Sequence, residues 1–239
     1  MRRLILGTVM ALALPTLLQA APMCVSGSLA DYIALGSGGC TVGDALFADF
    51  AASVVDPEAT PVVPGDVSVS PLLGSTSLGL AFSLASSVGP GEFDDLLIRY
   101  DLTGLMGLMF VGNTLSMSGS SVMPDGVVTA VEEKCSGGTF GGSDPSTPCS
   151  GTYIGPLIVF DIGDIADLTE TTPIFASSFF DVFTEIAIDG GLSGSASFGT
   201  VTNEFEFAPQ VVPEPASLLL LGSGLLAVLR RRRSGLNLF

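Results

Sequence analysis

Four cysteines, 24 carboxylates and no histidine are the raw material for chemistry in this chain of 239 residues. Without an imidazole, neither a Ser-His-Asp nor a Cys-His nucleophile can be assembled, and histidine-ligated metals are excluded. No Gly-x-Ser-x-Gly elbow or phosphate-cradling glycine loop is present, so the many Gly-Ser runs read as turns. Glu92, Asp94, Asp95, Glu132 and Glu133 could pair for glycoside hydrolysis, but a chain this rich in carboxylates offers such pairs by chance. The sequence therefore does not read as an enzyme. For hard cations, Asp161, Asp164 and Asp167 recur at three-residue intervals, and Glu92-Phe93-Asp94-Asp95 gathers three carboxylates. Neither has EF-hand spacing, so calcium is a candidate ligand without a motif, and no other cofactor is expected. Tyr32, Tyr100 and Tyr153 are the only tyrosines and tryptophan is absent, which weakens a sugar-stacking platform.

The two ends carry a different kind of information. Arg2 and Arg3 precede an apolar run from Leu4 to Leu18 and the small residues Ala20 and Ala21, the three parts of a secretory signal peptide. Cleavage is expected after Ala20, because a cut after Ala21 would put Pro22 beside the scissile bond. At the other end Val212-Pro213-Glu214-Pro215-Ala216 leads into an apolar segment, and Arg230, Arg231, Arg232 and Arg233 follow. The prolines enforce an extended element. Residues 216–229 as a helix cover only about 21 Å at ~1.5 Å per residue, short of a lasting span across a ~30 Å core. The arginines hold that end in the cytoplasm by the positive-inside effect.

The order of Pro213-Glu214-Pro215, the Leu-rich segment and the Arg cluster resembles the PEP-CTERM sorting signal of Gram-negative bacteria. That resemblance implies recognition by an exosortase, a transient stay in the inner membrane, and a final place in the cell envelope, on the surface or in the extracellular matrix. It also implies a link to exopolysaccharide and biofilm. With signal peptidase, the exosortase is an expected processing partner, and extracellular polysaccharide a candidate one.

The expected organisation is a signal peptide over 1–20, a β-sandwich domain over 21–211, and a sorting signal over 212–239 with a membrane segment at 216–229. The body is strongly acidic. Between Met23 and Val212 only Arg99 and Lys134 are basic, against 23 of the 24 acidic residues, a formal charge of −21. Such a surface repels nucleic-acid phosphates, so no nucleic-acid partner is expected.

Export places Cys24, Cys40, Cys135 and Cys149 in an oxidising compartment, where pairing is the default. Of three connectivities, Cys24 with Cys40 and Cys135 with Cys149 is favoured, since each closes a short Gly/Ser/Pro-rich segment. Zinc lacks the Cys-x-x-Cys spacing it needs.

Strand signals fill the interior. Leu78, Leu80, Phe82 and Leu84 alternate with small residues; Leu96, Ile98, Tyr100 and Leu102 repeat the pattern, as do Phe180 to Ile188 and Val201 to Phe207. Further strands are expected over 67–73, 108–117, 127–135 and 157–162, and the one stretch with a helical period is Asp44 to Val54. Many short strands between Gly, Pro, Asp and Ser clusters indicate an all-β, antiparallel sandwich, jelly-roll or immunoglobulin-like. The function expected is structural or adhesive. The alternative is a glycan- or calcium-binding module of the same matrix.

Overall fold

The computed structural model describes residues 20–54, 56, 58–142 and 146–208. The first 19 residues of the expected signal peptide and the whole expected sorting tail, with its Pro-Glu-Pro element, expected membrane segment and arginines, lie outside these. Fifteen strands form in chain order: β1 (Gly27–Ser28), β2 (Cys40–Val42), β3 (Ala45–Ser53), β4 (Thr60–Pro61), β5 (Ser68–Leu73), β6 (Ser77–Val88), β7 (Phe93–Gly104), β8 (Phe110–Ser118), β9 (Ser121–Val122), β10 (Val127–Ser136), β11 (Thr152–Ile162), β12 (Ile165–Asp167), β13 (Thr169–Ser177), β14 (Phe179–Asp189) and β15 (Ala196–Phe207). One sheet runs β1-β5-β6-β15-β8-β13, with β9 on β15. The other runs β12-β11-β10-β14-β7-β3-β2, with β4 on β7. Among the strands of the described residues, only the short β4–β7 pair is parallel.

The eight strands β6-β15-β8-β13 and β7-β14-β10-β11 wind as two interlocked Greek keys, the jelly-roll order. That order decides between the two sandwiches open from sequence. The alternation that predicts the strands also supplies the core. Tyr100 of one sheet meets Phe82 of the other at 6.1 Å between ring centroids, and Phe180 meets Phe110 and Phe205 at 6.0 Å each. These apolar faces have no other way to leave water than against each other.

Asp44 to Val54 departs from expectation. It is strand β3, kinked where Asp49 adopts φ 52° and the register with β7 shifts between Ala48 and Ala51. The bulge carries the chain one residue out of period two, and a strand with such a slip mimics a helical spacing. The helix of the body lies elsewhere. α1 (Leu29–Ala34) is started by a capping box in which the Ser28 hydroxyl accepts from Asp31 N–H while the Asp31 carboxylate accepts from Ser28 N–H. Leu29 and Tyr32 are the side it buries.

Candidate functional site

Both basic residues of the body lie against carboxylates, and the two pairs occupy opposite faces of the same sheet. Arg99 on β7 points away from the core. Its Nε donates to Asp181 Oδ1 at 2.9 Å, one terminal nitrogen to Oδ2 at 2.6 Å, and the other to the Gly142 carbonyl at 2.8 Å. Asp181, on β14, is sealed from solvent and also accepts from the Phe140 N–H at 2.8 Å. Phe140 and Phe183 pack edge to face at 5.0 Å, the guanidinium lies 5.2 Å from the Phe183 ring centre, and the Cys135–Cys149 disulfide closes the same segment. The segment after β10 is thus fastened over the outer face of the sheet by a bidentate ion pair, a small apolar cluster with Leu97, and a covalent bridge. Next to it, burial and the charges of Asp181 and Asp49 push Asp101 up to about 6 despite the opposing pull of Arg99.

Lys134 points the other way. On β10, Val128, Ala130, Glu132 and Lys134 share the face that Ile188, Ile186, Thr184 and Val182 of β14 present to the core. Glu132 and Lys134 are therefore placed between the sheets by strand parity, both with fully buried side chains, and Lys134 Nζ donates to Glu132 Oε1 at 2.7 Å. Around them lie three more buried polar side chains. Asn203 on β15 donates to Thr184 Oγ1 at 2.7 Å and to the Tyr100 hydroxyl at 3.1 Å. Asn113 on β8 donates to the Glu204 carbonyl at 3.1 Å. Burial raises the Glu132 carboxyl above its ordinary range, with Lys134 and the Asn113 amide pulling it back, and burial with the Glu132 charge raises the Tyr100 phenol. Glu132 Oε2, Asn113 Oδ1 and Asn203 Oδ1 are buried without a hydrogen-bond partner.

The residues singled out from sequence are dispersed by the fold. Asp161 pairs across the β11–β12 hairpin with Ala166, and Asp167 pairs with Phe160, so the two carboxylates point to opposite faces, with Asp164 in the turn between them. Asp161 accepts from Ser120 Oγ at 2.8 Å. Three-residue spacing gathers side chains on a helix and scatters them on a strand of period two. Among the described residues no three potential ligands cluster for a metal ion. Glu132 and Glu133 likewise separate, one into the core and the other to the Tyr153 hydroxyl outside. Glu92 and Asp94 do share a place. With Asp56, Glu58 and Thr60 they line a cleft of about 490 Å³ at one end of the sandwich, where Glu92 accepts from Gly89 N–H at 2.7 Å and Asp94 from Ser86 Oγ.

The cysteines pair locally, Cys24 with Cys40 and Cys135 with Cys149. The core network went unread in the sequence, although its signal was there: charged and amide residues at positions whose parity assigns them to the apolar face.

The family model of the PEP-CTERM protein-sorting motif matches residues 211–233. No curated protein sequence matches the chain. Among solved structures, TmCBM61 in complex with β-1,4-galactotriose is similar at 12% identity and TM-score 0.23, over 64% of this chain and 86% of that one. The low-affinity xylan binding module CBM86 from Roseburia intestinalis is similar at 11% identity and TM-score 0.21, over 66% and 96%. The enzymatically active domain of tailspike protein 4 from bacteriophage CBA120 is similar at 9% identity and TM-score 0.24, over 74% and 21%.

Proposed function

We propose that the protein is an exported structural or adhesive component of the cell envelope or exopolysaccharide matrix of a Gram-negative bacterium, sorted by an exosortase and without a catalytic role of its own. One observation carries the reading: a PEP-CTERM sorting motif occupies residues 211–233, immediately after β15 ends at Phe207. The motif implies exosortase sorting. A compact, doubly disulfide-bridged sandwich suits a protein that must persist outside the cell. In this reading signal peptidase releases the N-terminus, the apolar segment 216–229 halts the chain in the inner membrane, and the arginines hold its end in the cytoplasm until the exosortase acts.

The test is to replace Arg230 to Arg233 with neutral residues in the native host. The variant is expected to accumulate unprocessed at the inner membrane, while its body keeps a β-type far-ultraviolet spectrum. Arrival in the matrix at the normal rate and length would show that the tail is not a sorting signal. A second reading, a glycan- or calcium-binding module of the same matrix, has in its favour a polar cleft lined by Asp56, Glu58, Thr60, Glu92 and Asp94, although among the described residues no three of its carboxylates cluster closely enough for a metal ion. Glycan-array binding that disappears with EDTA would favour it over a purely structural role.

A further inference from the structure

We propose that the body locks itself with an intramolecular amide bond between Lys134 Nζ and Asn113 Cγ, formed with Glu132 as the proton carrier and with loss of ammonia. The inference is independent of how the tail is sorted. Three observations support it.

First, an amine, a carboxyl and a carboxamide are all fully buried between two apolar sheets. Lys134 Nζ donates to Glu132 Oε1 at 2.7 Å, and the Asn113 amide, which donates to the Glu204 carbonyl at 3.1 Å, also draws the raised pKa of that carboxyl back down. Secondly, Asn113 is on the right strand. It pairs with Thr172 of β13, and Thr172 and Lys134 line one small cavity of about 110 Å³ together with Leu157, the β11 partner of Glu132. Asn203, the other core amide, is held by Thr184 and Tyr100. Thirdly, Glu132 Oε2 and Asn113 Oδ1 are both acceptors without a donor. A proton on the carboxyl would turn Oε2 into the donor that the amide oxygen lacks.

The chemistry balances within these three groups. A proton passes from Lys134 Nζ to Glu132 Oε1 along their 2.7 Å hydrogen bond, leaving a neutral amine and a neutral acid. The acid hydrogen-bonds the Asn113 carbonyl, and the amine lone pair attacks Cγ, forming the C–N bond. Glu132 then relays the second amine proton to Nδ2, the Cγ–Nδ2 bond breaks, and ammonia leaves. No oxidant or co-reactant is needed. Confinement in the core supplies the effective concentration that two free side chains would lack. The bond would tie β10 of one sheet to β8 of the other.

The sequence itself provides a clean assay. Between Met23 and Val212 trypsin has only Arg99 and Lys134 to cut after, and an acylated lysine is not a substrate. Full-length protein exported in its host, then reduced and denatured, is expected to be cleaved within the body at Arg99 alone. Digestion after acidic residues should yield one branched peptide joining the Lys134 and Asn113 segments, lighter than their sum by one ammonia. Glu132→Gln and Lys134→Met should each restore the unshifted mass, and Glu132→Gln should also regain cleavage after Lys134. Wild-type protein that trypsin cuts fully after Lys134, or a branch that ends on Asn203, overturns the assignment without recourse to any variant.

Discussion

Asp181 takes three hydrogen bonds while sealed from solvent, so removing its carboxylate strands the guanidinium of Arg99 and the N–H of Phe140 together. Asp181→Ala should destabilise the oxidised body by about 2–4 kcal/mol, read as a lower denaturant midpoint with an unchanged m-value. A loss of under about 0.5 kcal/mol would mean that the disulfide and the Phe140–Phe183 contact hold the segment unaided. Asp101, its neighbour, predicts a pH dependence. Its folded pKa is raised from 3.8 to about 6, so the folded state prefers the proton. Below pH 3.8 the group is protonated in both states and carries no penalty, which then grows up to about pH 6 and is complete above it. The shift corresponds to ~3 kcal/mol, reduced to about 1–2 kcal/mol because the group is only half-buried. Glu185 is shifted in the same direction by burial, then Asp95 and Glu133. Stability should therefore rise as pH falls from 7 toward 5, and Asp101→Asn should flatten that rise; a body whose stability falls over this interval contradicts it. At this scale the sequence was only half legible. Strand alternation puts Thr184 in the inward row of β14 and Asn203 in that of β15, and nothing in the alternation marks either as part of a network. Glu132 and Glu133 both stand among the candidate carboxylates of the sequence, but strand parity sends one into the core and the other outward.

Elements were the most legible level, because sheets with one buried face must alternate. The long strands β6, β7, β14 and β15 follow directly from the rows of Leu, Ile, Val and Phe that the core requires. The elements that escaped have physical reasons. β13 is an edge strand whose residues are mostly exposed and which contains Pro173, so it has neither a continuous apolar row nor the composition of a central strand. α1 is too short to show a period, and only its capping box marks it. The two bridges act on elements that lack regular structure of their own. One ties the N-terminal segment to β2, and the other ties the segment after β10 back to that strand. With sequence separations of 16 and 14 residues, each should contribute about 2–4 kcal/mol on a loop-entropy argument. Cys135→Ala with Cys149→Ala should lose that much and also expose Phe140 and Phe183 to a hydrophobic dye. Non-reducing peptide mapping is the direct check of connectivity, and a Cys24 to Cys149 peptide would overturn it.

For the whole molecule, charge and processing are linked. A body at −21 repels itself, and its two basic side chains both face carboxylate partners, Arg99 on Asp181 and Lys134 on Glu132, so neither offsets the surface charge. Raising ionic strength from ~0.01 M to ~0.15 M shortens the screening length from about 30 Å to about 8 Å, and the melting temperature should climb accordingly; an unchanged value would mean that the surface carboxylates are too dispersed to interact. Six of the eight basic residues, by contrast, sit at the two ends: Arg2, Arg3 and Arg230 to Arg233. Removal of both signals must therefore make the protein more acidic as well as shorter. Protein isolated from its native host is expected to begin at Ala21 and to end near Pro213-Glu214-Pro215, because neither apolar segment matches the thickness of a bilayer core closely enough to serve as a lasting anchor. Intact mass fixes both ends at once, and isoelectric focusing gives an independent reading, since loss of six arginines moves the band toward acid whereas loss of neutral residues alone would not. A dominant species that still carries Arg230 to Arg233 would mean that the tail stays as an anchor, with the acidic sandwich displayed at the membrane instead of released into the matrix.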